Sequence, residues 1–176
     1  MKTALTLAAA LALTGAPSLA FDDTDSAAIA TAYDRMLSDT QSGNYQGVFD
    51  VMPPAFLENM AGQSGMSVEE VEQLVVSQME QVMTQISFEE ASYDLGAAET
   101  GTSAAGRDYA LIPSRTVMKA DGRRIEATGT TLAVEDGGQW YLIRLETPQH
   151  LQLVGEVYPD LAGLVLPQST MRELSD

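Results

Sequence analysis

Cysteine is absent from this chain of 176 residues, and histidine and tryptophan occur once each. The first absence excludes disulfides, thiolate metal sites, cysteine nucleophiles and a lipid-modified N-terminal cysteine. The single histidine, His150, has no partner histidine for metal ligation or for a catalytic triad, and reads as an ordinary exposed residue near a strand end. Basic side chains are scarce, with 9 Lys and Arg against 25 Asp and Glu. Nucleic acid and anionic lipid would repel such a chain, so neither is expected as a partner. The acidic surface reads first as a solvated one, and second as a surface for cations or a basic partner. Long apolar runs are missing as well, except at the very start of the sequence.

That start is MKTALTLAAALALTGAPSLA. Lys2 supplies a positive charge, Ala4 to Leu13 an apolar stretch, and Gly15 and Pro17 break any helix. Ser18 and Ala20 put small residues where a signal peptidase reads them, and a cut after Ala16 would place Pro17 beside the scissile bond. The apolar run is too short to span a bilayer, which takes about 20 residues. Residues 1–20 are therefore expected to be a signal peptide cleaved after Ala20, which sends the protein to the bacterial periplasm or medium without membrane insertion. Residues 21–176 then form one domain with a formal charge of −17, from 8 basic and 25 acidic side chains.

Charge and periodicity divide this domain in the same place. Residues 21–100 hold 15 acids and a single base, Arg35, whereas residues 101–176 hold 10 acids and seven bases. The first half, about 24–86, has helical spacing. Ile29, Tyr33, Met36 and Leu37 mark a helix capped by Thr24 or Asp25 and running to about Ser38. Tyr45, Val48, Phe49 and Met52 mark a short second helix, which Pro53-Pro54 interrupts, with another turn or two beyond carrying Phe56, Leu57 and Met60. Ser67-Val68-Glu69-Glu70 is a capping box opening the clearest helix of the chain. Its stripe of Val68, Val71, Leu74, Val75, Met79, Val82, Met83 and Ile86 predicts one buried side.

After Ile86 the period becomes two. Strands are expected over Ser87 to Leu95, Tyr109 to Lys119, Arg124 to Val134 and Gln139 to Thr147, and Gly96 to Gly106 reads as a loop. Asp121-Gly122 and Asp136-Gly137-Gly138 are hairpin turns, and Pro113 marks an edge or bulge. Leu151 to Val157 is a strand or a short helix, and 159–176 a tail. Helices followed by an antiparallel meander make an α+β domain, with the β-sheet part at about 87–158.

The order of elements, with its tryptophan-bearing hairpin near the end, resembles the NTF2-like (cystatin-like α+β) superfamily. The segments Phe49-Asp50-Val51-Met52-Pro53-Pro54, Leu111-Ile112-Pro113-Ser114, Gly137 to Ile143 and Tyr158-Pro159-Asp160-Leu161 resemble uncharacterised bacterial exported proteins of that look. The resemblance implies N-terminal helices packed on a curved antiparallel sheet, and a homodimer through the outer sheet face. It carries over no functional residue, because NTF2-like domains serve as enzymes, ligand pockets and interaction modules alike.

The residues themselves single out few sites. Asp22-Asp23-Thr24-Asp25 lacks the glycine turn and distal glutamate of a calcium loop and reads as helix-capping acids. Met36, Met52, Met79 and Met83 fall in apolar stripes, and the methionines, Met60 and Met66 included, read as core filling and not as a copper(I) site. Tyr33, Asp34 and Asp50 show no spacing that demands proton chemistry. No catalytic residue, metal ligand or cofactor is assigned. Of the arginines Arg107, Arg115, Arg123, Arg124 and Arg144, the last shares a strand face with Trp140. Arg115, Trp140 and Arg144 are accordingly the candidate ligand-binding residues, an anion pocket with an aromatic wall. The competing account is cross-strand pairing with Glu126, Glu135 and Glu146. The function expected is a non-enzymatic module for a small molecule or protein. The alternative is an enzyme using a pocket carboxylate. Both pocket readings fail if Phe49, Met79, Met83 and Trp140 fill the concavity of the sheet.

Overall fold

The structure is a computed structural model and describes residues 21–145 and 147–175. The expected signal peptide lies outside the described residues. Helix α1 spans Asp23–Ser42, longer than the spacing predicted. Its cap is Asp22, which accepts from the Thr24 and Asp25 amides, while the Asp25 carboxylate accepts in return from the Asp22 amide. These backbone bonds hold the Asp22 carboxyl below the usual carboxylate range. Gly43, at φ 77°, ends the helix in a left-handed conformation open to glycine without steric cost. Tyr45–Val51 is a 3-10 helix. Helix α2 spans Pro54–Ser64, with its proline in the first turn, where no amide is missed. Helix α3 spans Val68–Met83 and opens on the expected capping box of Ser67 and Glu70.

The strands are β1 Ile86–Tyr93, β2 Glu99–Thr102, β3 Asp108–Ala120, β4 Arg123–Asp136 and β5 Gln139–Leu145. The loop expected over Gly96 to Gly106 contains β2. Helix α4, Pro148–Val157, settles the open choice at Leu151 to Val157 as a helix, capped by the Thr147 hydroxyl with Pro148 in its first turn. The expected tail carries a 3-10 turn at Pro159–Leu161 and a last strand, β6, Thr170–Leu174.

All six strands form one curved antiparallel sheet, a half-barrel, in an α+β fold. The long strands β3 and β4 pair along their whole length through the Asp121-Gly122 turn, both of whose residues have positive φ. Each changes its other neighbour halfway. β3 pairs with β2 up to Leu111 and with β1 from Ser114 onward. Pro113, lacking an amide hydrogen, falls in the gap between them, which is where a proline costs no ladder bond. β4 pairs with β6 over 124–128 and with β5 over 130–136. The sheet thus has an upper half flanked by β2 and β5, and a lower half flanked by β1 and β6.

In its upper half both faces of the sheet are apolar, where one apolar face was expected. On the concave face Ile29 and Tyr33 of α1 bury against Ala110, Ile112, Ala133, Trp140 and Leu142. On the outer face Leu111, Leu132, Val134, Ile143 and Leu145 bury against Val154 of α4, Tyr158, Leu161 and Phe56 of α2. Arg107 fastens this second layer. It donates to the Glu135 carbonyl at 2.9 Å, pairs with Asp136 and Asp160 at 3.1 and 3.4 Å, and lies 4.3 Å over the Tyr158 ring. The upper outer face, part of the surface the resemblance offers to a second copy, is therefore covered by the chain's own C-terminal segment.

Helix α3 departs furthest from expectation. Of its stripe only Val71 is buried, while Leu74 and Val82 are 46% and 52% exposed. It packs on α2, on the 3-10 helix and on the edge strand β1, and not across the middle of the sheet. The helix laid against the concave face is α1, next to β5.

Candidate functional site

Because α3 stands off the sheet, the lower concave face is not filled. A cavity of about 470 Å³ lies there, bounded by α1, the 3-10 helix, α3 and strands β1, β3, β4 and β5. Met79 and Met83 form part of its wall without filling it. Phe49 is buried elsewhere, and Trp140 belongs to the upper concave layer. The condition that would have closed both pocket readings is not met.

Thr40 and Gln41 of α1 border a wall whose apolar residues are Met36 and Leu37 from α1, Val48, Val51 and Met52 from the 3-10 helix and its end, Met79 and Met83 from α3, and Phe88. Four of these eight are methionines, whose unbranched thioether chains adapt to irregular contents. The sheet floor is different in kind. Strand alternation puts Ser114 and Thr116 of β3, Thr131 of β4 and Leu142 and Arg144 of β5 on the same face, so three hydroxyls, one guanidinium and one leucine line the floor. Arg144 sits opposite Thr131, and its Nη2 lies 3.5 Å from the Thr116 hydroxyl, two strands away. Gly129, opposite Ser114, adds no side chain between them.

Two floor oxygens are buried and make no hydrogen bond among the described residues, the Tyr33 phenol and the Ser114 hydroxyl. Tyr33 stacks on Tyr93 at 4.1 Å, and the Tyr93 phenol donates to Asp34 at 3.0 Å, so the ring is fixed while its own hydroxyl is buried beside Thr131. Burial pushes the Tyr33 phenol up to about 12, against the opposing influence of the neighbouring Thr131 hydroxyl and the Arg144 charge. It therefore stays protonated, a hydrogen-bond donor, at any ordinary pH. The cavity's carboxylates, Glu89 and Glu90, stand at its edge and are paired with Arg124 at 2.7 Å and Arg115 at 2.8 Å.

The three candidate ligand-binding residues are not brought together. Arg144 lines the cavity. Trp140 shares its sheet face but lies four residues along the strand, roughly 13 Å away. Its indole donates to Asp25 at 2.9 Å and meets Phe21 edge-on at 5.9 Å, which ties the start of α1 to the sheet. Arg115 projects from the opposite face. It bonds Glu126 at 2.6 Å, and Arg172 of β6 bonds the same carboxylate from the other side, also at 2.6 Å. Those two arginines hold the Glu126 carboxyl below its usual range, Arg172 foremost. Cross-strand pairing with Glu126 thus describes Arg115, whereas Glu135 caps the Gly138 amide of the last hairpin.

Sequence reasoning weighed Tyr33 for proton chemistry alone and passed over Ser114, Thr116 and Thr131 as site residues. The available signal was hydroxyls on one face of adjacent strands at positions where apolar residues would be expected. Among the described residues no group of three or more His, Asp or Glu is arranged to hold a metal ion. No described helix is long and apolar enough to cross a membrane. No family model, no curated protein and no solved structure matches the chain.

Proposed function

We propose that this chain is an exported NTF2-like domain that binds a small molecule in the cavity under α3. The observation that carries this is the cavity itself, about 470 Å³ of space with mostly apolar walls and a few polar groups among them. That volume and lining are typical of small-molecule sites. The acidic surface and the N-terminal sequence fit a soluble domain delivered to the periplasm or medium. Acid–base catalysis is less well supported. It needs a buried carboxylate within reach of a second polar group, and the two cavity glutamates are at the edge in ion pairs. A docking role for a protein partner finds some support in the exposed Leu74 and Val82 of α3.

The test is calorimetric titration of the purified mature domain with a medium-chain alcohol such as decanol, alongside the Met83→Arg variant, which puts a charged side chain into the cavity. Binding that Met83→Arg abolishes, with the variant still folded by circular dichroism, is the expected result. Absence of binding, or binding indifferent to Met83→Arg, overturns the reading.

A further inference from the structure

The charged groups of the cavity narrow the ligand class, a step that rests on the binding reading above and names the kind of molecule that site takes. Three charged side chains line the cavity, Glu89, Glu90 and Arg144, and all three are exposed to water. Each already has a partner. Glu89 pairs with Arg124 at 2.7 Å and Glu90 with Arg115 at 2.8 Å, and the Arg144 guanidinium lies 3.5 Å from the Thr116 hydroxyl. The rest of the lining is uncharged, and most of its polar atoms are engaged or out of reach. The Thr40 hydroxyl donates to the Met36 carbonyl at 2.8 Å. The Tyr33 and Ser114 hydroxyl oxygens are buried below the surface, where a ligand does not touch them, and Thr116 and Thr131 are buried as whole residues. Gln41, exposed on α1, is the neutral polar side chain left to meet a ligand where the cavity opens to water.

We infer that the cavity takes an uncharged, largely apolar molecule and discriminates against charge of either sign. An ion drawn inside would leave water for a lining whose own charges are already paired. An ion whose head stayed in water would hold back the adjoining methylenes, each worth about fourfold in affinity. A neutral hydroxyl loses far less on leaving water, so a neutral molecule can enter whole. Met36, Met52, Met79 and Met83 adapt to contents of different outline, so the restriction falls on charge more than on shape. The field of the whole protein acts differently. A strongly acidic domain draws cations in and pushes anions away, and by itself would rank ligands in order of their charge. A preference for the neutral molecule over both ions can come only from the cavity.

The experiment compares decanol, decanoate and decylammonium, one chain with three heads, below the concentrations at which they form micelles. Each is titrated calorimetrically into the mature domain and its Met83→Arg variant at neutral pH and moderate salt. Decanol should bind about tenfold or more tighter than either ion, the worth of about two withheld methylenes. Met83→Arg, folded by circular dichroism, should lose decanol binding. Either ion binding as tightly as decanol, or tighter, overturns the inference. If Met83→Arg still removes decanol binding in that case, the cavity reading stands without it. An order that follows charge, with decylammonium tightest and decanoate weakest, would assign the selection to the surface field and not to the lining. Decanol binding that is absent, or indifferent to Met83→Arg, brings down the cavity reading and this inference with it.

Discussion

Helices α1 and α3 invert what their sequences advertise. α3 has the cleaner apolar stripe and a full capping box, yet it buries only Val71. α1 has a sparser stripe, spaced with alanines and acids, yet Ile29 and Tyr33 are among the most buried residues of the molecule. The difference lies in what each helix faces. α1 lies on the upper concave face, where Ala110 and Ala133 are small enough to let it approach and Trp140 closes its flank. α3 faces a floor of Ser114, Thr116, Thr131 and Arg144, which an apolar helix face gains little by touching. An apolar stripe tells which side of a helix avoids water. Whether that side meets core or cavity depends on the chemistry of the opposite surface.

Four measurements would break or sharpen this contrast. The largest effect is expected from Ile29→Ala, about 3 kcal/mol lost in urea unfolding, because the side chain is fully buried. A loss below about 1 kcal/mol would mean α1 is not the packed helix. Next comes alkaline pH. The unfolded Tyr33 phenol ionises near about 10, while burial holds the folded one up to about 12. Stability is therefore complete below the lower value and declines as pH rises through the window between them. The loss is on the order of 2 kcal/mol from Tyr33. Tyr158, raised chiefly by burial, adds a loss of the same sign. The Tyr33→Phe variant should show a shallower alkaline decline than the parent in a pH series of thermal melts; an unchanged slope would place the Tyr33 hydroxyl in water. Third, Ser67→Ala should cost about 1 kcal/mol, since it removes the cap of a helix that has little tertiary packing to compensate. Hydrogen exchange over the first turn of α3 would report it, as faster exchange. The smallest effects are expected from Leu74→Ala and Val82→Ala, within about 0.5 kcal/mol in urea unfolding. A cost approaching that of Ile29→Ala would show α3 to be buried after all.

Much of the sheet was legible because its signals are local. Asp121-Gly122 and Gly137-Gly138 hold the positive φ angles that two-residue hairpins demand, and they fix the register of β3, β4 and β5. β2 and β6 were not legible. Glu99-Thr-Gly-Thr and Thr170 to Leu174 have little apolar alternation, and they are strands because the open edges of β3 and β4 supply partners. Helix α4 had a readable start in Thr147-Pro148, which marks a cap and a first helical turn as well as a strand end. At the site, Arg144 could be singled out by its place beside Trp140 on one strand face. Arg115 could not be told from it, because a shift in strand parity sends one to the cavity and the other to Glu126. Met36, Met52, Met79 and Met83 read as core, and they do face inward, but a residue type cannot report the empty volume next to it.

What the sequence determined by itself is the helical first half, the hairpins of the second, the caps of α3 and the acidic, cysteine-free surface. Each follows from periodicity, turn chemistry or composition within a few residues. Only the tertiary structure decided that α1 and not α3 would occupy the concave face, that both faces of the upper half of the sheet would be covered, and that a cavity would remain between methionines and hydroxyls. Those outcomes depend on which surfaces meet across the fold, and the free energy of a contact belongs to the pair of surfaces and not to either segment alone.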